Sequence, residues 1–257
     1  MKSQYTSGID VRGTVMNDFR EYKDYCVGVY GDSLYHHGIK GMHWGVRRYQ
    51  NLDGTLTEEG KLRYAQDLLK NTKTTNIDKW GKNRNQNTLY ITGMSGSGKS
   101  TLSEYLSKKH DAEIINLDSY LSQMSSESAK QMQNKNFNRY LDKNVKDWRR
   151  VLKKDGKLDY KKVDSIAKAS EQYSKQLYDN KKKLIIEGVQ LMDTTFYENR
   201  DFYKDKPYML VNTSAIKSLL RGNERDEMKG FDSLYRIPYY MKNSKEVKKL
   251  MKDLKLK

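Results

Sequence analysis

Apolar positions are sparse and scattered in the first third of the chain and become organised from Thr88 onward. Four short, largely apolar runs then appear: Thr88–Thr92, Glu113–Leu117, Lys183–Ile186 and Tyr208–Asn212. Runs of this length are what strands covered on both faces require. Lys99–Lys109, Ser214–Arg225 and the tail from Ser244 carry helical spacing instead. Strands alternating with helices predict an α/β fold of three layers around a parallel sheet. A long polar insert, residues 122–180, separates the second and third strands. Within it Phe137, Tyr140, Leu141, Val145, Trp148 and Leu152 share a helical face, and so do Val163, Ile166, Ala167, Ser170, Tyr173 and Leu177. The insert is expected to form a helical subdomain over the ligand-binding end of the sheet.

Residues 1–85 have a different texture, rich in Tyr, Gly and polar residues, with apolar runs as short as Val27-Gly28-Val29-Tyr30. Thr72 to Asn87 is polar and reads as a linker. The chain is therefore expected to divide into a small N-terminal module with its linker, residues 1–85, and an α/β domain, residues 86–257, that ends in a basic tail, 242–257.

Composition narrows the class. Of 257 residues, 36% are hydrophobic and 32% charged, a lean core under much solvated surface. A lone cysteine, Cys26, excludes an internal disulfide and points to a reducing compartment. Met1-Lys2-Ser3-Gln4-Tyr5 lacks the apolar stretch of a signal peptide, and no window reaches the length of a membrane span. The expectation is a soluble protein of the cytoplasm without a membrane partner.

The net charge of +16 is unevenly placed. Residues 130–183 carry 17 Lys+Arg against 7 Asp+Glu, and 242–257 carry 7 against 2, whereas 184–241 are near balance at 8 against 9. Such an excess attracts polyanions. The competing reading is a solvated lysine-rich face, and the even spread of lysines over helix-like sequence favours it. Nucleic acid stays open as a partner without being the favoured one.

The chemistry starts at Gly93-Met94-Ser95-Gly96-Ser97-Gly98-Lys99-Ser100-Thr101. It fits G-x-x-x-x-G-K-[ST], the Walker A pattern, at every fixed position, with an apolar strand before it and a helix after. Gly93, Gly96 and Gly98 allow the backbone to bend and present its N–H groups to phosphate oxygens at a helix N-terminus. Ser95 and Ser97 complete the loop, Lys99 is expected on the β- and γ-phosphates, Ser100 on Mg²⁺ and Thr101 near the α-phosphate. The loop predicts binding of ATP or another nucleoside triphosphate with Mg²⁺, without choosing between kinase, ATPase and GTPase.

Two acids end predicted strands, where open α/β sheets gather ligands. Asp118, in Leu117-Asp118-Ser119-Tyr120, suits a base that takes a proton from an attacking hydroxyl, against the alternative of a helix cap. Glu187, in Ile186-Glu187-Gly188-Val189, suits a Mg²⁺-handling residue of the Walker B kind, with Gly188 letting the chain pass beside the nucleotide. Arg221 and Arg225, in Arg221-Gly222-Asn223-Glu224-Arg225, stand four apart on one helical face. They are read as lid arginines that neutralise a transferring phosphoryl group, against the alternative of local Arg–Glu pairs.

These segments resemble the P-loop kinase superfamily, especially its uridine-kinase-like and zeta-toxin-like phosphotransferases. Leu117-Asp118-Ser119-Tyr120 resembles the uridine kinase segment whose Asp activates the nucleoside hydroxyl. Ile186-Glu187-Gly188-Val189 is similar to that family's strand ending in Glu-Gly, and the Arg221 segment resembles its lid. The resemblance covers residues 88–230 and implies a three-layer P-loop NTPase sheet of the kinase type. The lid lacks the family's usual arginine pattern, and the insert matches no nucleoside-binding segment.

His36-His37-Gly38-Ile39-Lys40-Gly41-Met42-His43-Trp44-Gly45-Val46-Arg47-Arg48-Tyr49 and its continuation to Tyr64 resemble a module found in proteins of phages and prophages of Gram-positive bacteria. The resemblance implies a phage origin, hence a host cytoplasm or a virion, and a phage or host protein as partner for residues 30–64. Metal binding by His36, His37, His43 and Cys26 matches no standard spacing. Trp44, Arg47 and Arg48 suit nucleic-acid contact, protein docking or the module's own core. Asn51-Leu52-Asp53-Gly54 reads as a turn, and Thr57 as the cap of a helix.

The favoured reading is an ATP- and Mg²⁺-dependent phosphotransferase acting on a small, nucleoside-like acceptor. Its catalytic set is Lys99, Asp118, Glu187, Arg221 and Arg225, with Ser100 and Glu187 at the metal. A phage structural or host-interaction protein with a regulatory nucleotide site is the second class, and a polynucleotide or modified-base kinase the third.

Overall fold

The computed structural model describes residues 8–9, 15–16, 49–51, 55–121, 130–149, 151–153, 157–192, 196, 200–225 and 236–256; within 8–9, 15–16, 200 and 222–225 it describes the backbone alone. The chain divides into two compact units, residues 1–62 and 63–257. In the first, β1 (Gly8–Ile9) pairs antiparallel with β2 (Val15–Met16), and Gln50 bridges Leu56. Cys26, His36, His37, His43, Trp44, Arg47 and Arg48 lie outside the described residues.

Helix α1 (Glu58–Asn71) begins as its sequence predicts. The Thr57 hydroxyl accepts the Gly60 N–H at 3.1 Å, and Glu58 and Glu59 complement the positive end of the helix dipole. The segment after α1 is not a linker. Thr72–Thr75 forms β3, an edge strand antiparallel to β7 (Tyr208–Val211), with Thr72 opposite Val211 and Thr75 opposite Tyr208. Two 3₁₀ turns then bury Trp80, whose indole N–H donates to the Asn87 carbonyl at 3.1 Å. A run of threonines with lysine carries little apolar signal, and in this edge strand only Thr72 is buried.

The sheet order is β3-β7-β4-β6-β5, with β4 (Thr88–Thr92), β5 (Ala112–Asn116), β6 (Lys183–Glu187) and β7 parallel. All four expected strands are present, their bounds shifted by a residue at most. Side chains alternate between two cores. Leu89, Ile91, Ile185, Met209 and Val211 face Leu68, Leu102 and Leu106, the latter two from α2 (Lys99–His110). Tyr90, Ile115, Leu184, Ile186, Tyr208 and Leu210 face the opposite layer. That layer holds α4 (Lys135–Asn144), α5 (Tyr160–Asp179) and α7 (Ile237–Asp253), while α3 (Asp118–Leu121) leaves the end of β5 and α6 (Ala215–Arg225) comes after β7. Helices on both faces of a mostly parallel sheet make the three-layer α/β fold that the pattern predicts.

The described part of the insert does not form a separate cap. Phe137, Leu141, Val163, Ile166 and Leu177 are buried against the sheet face, and Ser174 near the end of α5 is tied to the amino end of β4 through Thr88 and Asn87. The tail helix also starts earlier than Ser244, at Ile237, because Pro238 is preorganised for a first helical turn.

Candidate functional site

The chain leaves β4 in one direction to build β5 and β6, and later returns to place β7 on the other side. The reversal opens a crevice at the carboxyl end of β4, the usual place for a ligand in such sheets. The loop 93–98 fills that position. Gly93 has φ +152°, and a Cβ there would lie 2.7 Å from both the Val211 carbonyl oxygen and Ser97 Oγ. Gly98 has φ +98°, and its Cβ would lie 2.6 Å from Leu68 Cδ1 and 3.0 Å from the Tyr64 hydroxyl. Only glycine tolerates both the conformation and the closeness. Thr213 Oγ1 donates to the Ser97 carbonyl at 3.2 Å, holding the β7–α6 connection to the loop.

Lys99 opens α2 with its side chain buried, its Nζ donating to the Met94 carbonyl at 3.1 Å. The Ser97 hydroxyl is buried without a hydrogen-bond partner. Both are donors set within the loop, and an anion received there would meet a cation, a hydroxyl and backbone amides together.

Glu187 is level with Ile91 on β4 and with Asn116 on β5, so β6 delivers its carboxylate directly beside the loop strand. Only 3% exposed, it accepts from Ser103 Oγ at 2.8 Å and Asn116 Nδ2 at 2.7 Å, and Ser100 also hydrogen-bonds it. Burial pushes its carboxyl above the ordinary carboxylate range, against the pull of the Ser103 hydrogen bond and the Lys99 charge. Ser100 and Glu187 thus present hydroxyl and carboxylate oxygens side by side, a donor set that suits a hard cation such as Mg²⁺. Among the described residues no cluster of three or more His, Cys, Asp and Glu forms a protein-only metal cage. Ser103 and Asn116 belong to the site without any motif to mark them. Ser103 stands one helical turn beyond Ser100, and Asn116 is the polar end of an apolar strand, so spacing alone holds the clue. A Cβ at Gly188 would lie 2.7 Å from Gln190 Oε1 and 2.8 Å from Leu117 Cβ, so the chain passes there without room for a side chain.

Asp118 sits two residues beyond Asn116, at the same sheet edge. It is not the cap of its helix. Asn116 Oδ1 accepts the Ser119 N–H at 3.1 Å in that role. Tyr239 of α7 stands near enough that the Asp118 charge adds to burial in raising the phenol's pKa. Arg221 lies elsewhere than over Lys99: its Nη1 donates to the Tyr64 hydroxyl at 2.7 Å and its guanidinium stacks 5.3 Å from that ring. Arg225 lies in α6, its side chain outside the described residues, as do residues 226–230 of the expected lid. Two cavities, of about 650 and 530 Å³, occur at the other end of the sheet, the larger between α4 and α5 beside Glu113 and Tyr173, and neither touches the loop.

A phosphate loop leaving the central strand, with a buried acid on the neighbouring parallel strand, defines a nucleotide-binding protein of the P-loop NTPase, kinase-like superfamily. A family model described as an AAA domain matches residues 89–235, more than half of the chain, and the chain belongs to that family. A second model, a family of unknown function, matches residues 28–51. Neither a curated protein nor a solved structure matches. No helix among the described residues is long and apolar enough to cross a membrane.

Proposed function

We propose that this chain is an ATP- and Mg²⁺-dependent phosphotransferase with a small hydroxyl-bearing acceptor. The observation that carries the reading is Glu187, buried beside the loop strand and shared by Ser100, Ser103 and Asn116 next to Lys99. Ser100 and Glu187 would hold Mg²⁺, and the bound ion would supply charge neutralisation to the phosphates. The chain's own residues do the rest. Loop amides and Lys99 hold the phosphates, Ser100 and Glu187 fix the ion, and Asp118, released from capping by Asn116, takes the acceptor's proton. Arg221 on α6 supplies positive charge from the flank.

The test is to incubate the protein with γ-labelled ATP and pools of nucleosides, nucleotide sugars, nucleic acids and proteins. One pool is expected to take up label, and Asp118→Asn to lower the rate about 10²- to 10⁴-fold, with Mg·ATP affinity unchanged. No labelled pool, together with an Asp118→Asn protein that behaves as wild type, would sink the kinase reading and leave a nucleotide-binding protein of another kind.

A further inference from the structure

We propose that Tyr64, on helix α1 and upstream of the matched family segment, is a positioning residue of the nucleotide site that holds Arg221 against the flank of the phosphate loop. The proposal rests on the phosphotransferase reading in one respect, that Arg221 serves bound phosphate. Three observations meet at this ring. Arg221 Nη1 donates to the Tyr64 hydroxyl at 2.7 Å. The guanidinium also lies over the ring face at 5.3 Å, so two different interactions fix it in one place. The same hydroxyl lies 3.0 Å from where a Gly98 Cβ would be, with Leu68, one helical turn on, at 2.6 Å.

Gly98 is the last residue before Lys99, in the stretch whose backbone N–H groups face phosphate. A cation anchored through a single hydroxyl to that residue's flank is therefore stored beside the phosphate cradle. The base of α6 is fastened there too, because Thr213 donates to the Ser97 carbonyl just before the helix starts. The connection into the helix that carries Arg221 is thus tied to the loop through Thr213 and Ser97, while the guanidinium itself is held beside Gly98 through Tyr64. An exposed arginine left free must be ordered when ligand arrives, and one already oriented loses less freedom on binding. Neither Tyr64 nor Leu68 belongs to residues 89–235, so the family segment alone does not supply the wall of its own phosphate loop.

The experiment uses the full chain. Mg·ATP binding is measured by calorimetry for wild type, Lys99→Ala, Tyr64→Phe, Tyr64→Ala, Arg221→Ala and the Tyr64→Ala/Arg221→Ala double variant. Melting curves establish that each is folded, with Tyr64→Phe keeping the ring if Tyr64→Ala proves unstable. Tyr64→Ala and Arg221→Ala are each expected to weaken binding about three- to tenfold, with Tyr64→Phe intermediate. The double variant is expected to be no weaker than Arg221→Ala alone, because Tyr64 acts through Arg221. The Arg221 Nη1–H signals in NMR spectra should be resolved in wild type and lost in Tyr64→Ala, whether or not nucleotide is present. Additive losses, unchanged Nη1–H signals, or tighter binding by Tyr64→Phe than by wild type would each overturn the proposal alone. Equal affinity in wild type and Lys99→Ala would remove the nucleotide site itself, and the proposal with it.

Discussion

Asn116 donates to Glu187 Oε1 at 2.7 Å, joining the carboxyl ends of β5 and β6 across one rung of the parallel ladder. Ser103 does the same for Oε2 from α2. The acid is thus held from a strand and a helix, and its position relative to the loop is fixed before any ligand arrives.

This arrangement predicts a pH dependence. Burial raises the Glu187 pKa above its unfolded value. Between those two values the folded protein binds more protons than the unfolded chain, so this group's contribution to stability is present at lower pH and is lost as pH rises through the window. Glu187→Gln removes the titration and keeps an acceptor for Asn116. Nucleotide-free melting curves from about pH 5 to about pH 8 should therefore show wild type losing ground to Glu187→Gln as pH rises. Mg·ATP binding by wild type should run the opposite way, weakening as pH falls and the carboxyl protonates. A constant gap between the two melting series would contradict this account.

Gly98 offers a stability test. Alanine there would carry both a left-handed φ of +98° and a contact at 2.6 Å with Leu68 Cδ1. Strain and overlap together should cost about 2–4 kcal/mol. Leu68→Ala relieves the overlap but not the strain. Chemical denaturation of the two single variants and the double should show the double destabilised by less than the sum of the singles. Strict additivity would mean that Leu68 yields without cost.

Asn87 separates stability from binding. Its Nδ2 donates to the carbonyls of Ser174 and Lys182 at 2.8 and 3.0 Å, pinning α5 and the start of β6 to the amino end of β4. Asn87→Ala leaves both carbonyls without that donor, at a cost of about 2–4 kcal/mol. The loop lies at the other end of β4, roughly 17 Å away at the rise of a strand. Unfolding should shift to lower urea while the Mg·ATP dissociation constant holds within about twofold. A tenfold weaker affinity would show that the amino end of the sheet controls the site.

The parallel strands were legible because each must be apolar on both faces, and the loop because only glycine, lysine and a hydroxyl residue serve phosphate at that spacing. Glu187 could be read for the same reason, as the acid at the end of an apolar run. Tyr64 and Leu68 could not. They sit about thirty residues upstream of Gly98 on an amphipathic helix whose pattern says only that one face is covered, not what covers it. The covering helices of the insert were legible as helices, but their place on the sheet face depends on tertiary ties such as Asn87 to Ser174, which leave no periodic trace. β3 was hidden by composition: Thr72-Lys73-Thr74-Thr75 is polar enough for a loop and becomes a strand because β7 has an open edge.

That edge yields the last prediction. A fragment of residues 86–257, the α/β domain as the sequence alone delimits it, lacks α1, β3 and Trp80. Its β7, Tyr208–Val211, would expose an unpaired, apolar edge where Thr72–Thr75 now pairs. It would also lose the buried Leu68 and Trp80 side chains from one core, roughly 2–5 kcal/mol for each, and the Asn76 side-chain bond to the Lys204 carbonyl at 2.7 Å. A fragment of residues 57–257 keeps all of these and the Thr57 cap of α1. The longer fragment should melt cooperatively and bind Mg·ATP as the full chain does, whereas the shorter should sediment as aggregate without a cooperative transition. If 86–257 melts within a few degrees of 57–257, then α1 and β3 decorate the sheet and the fold does not depend on them.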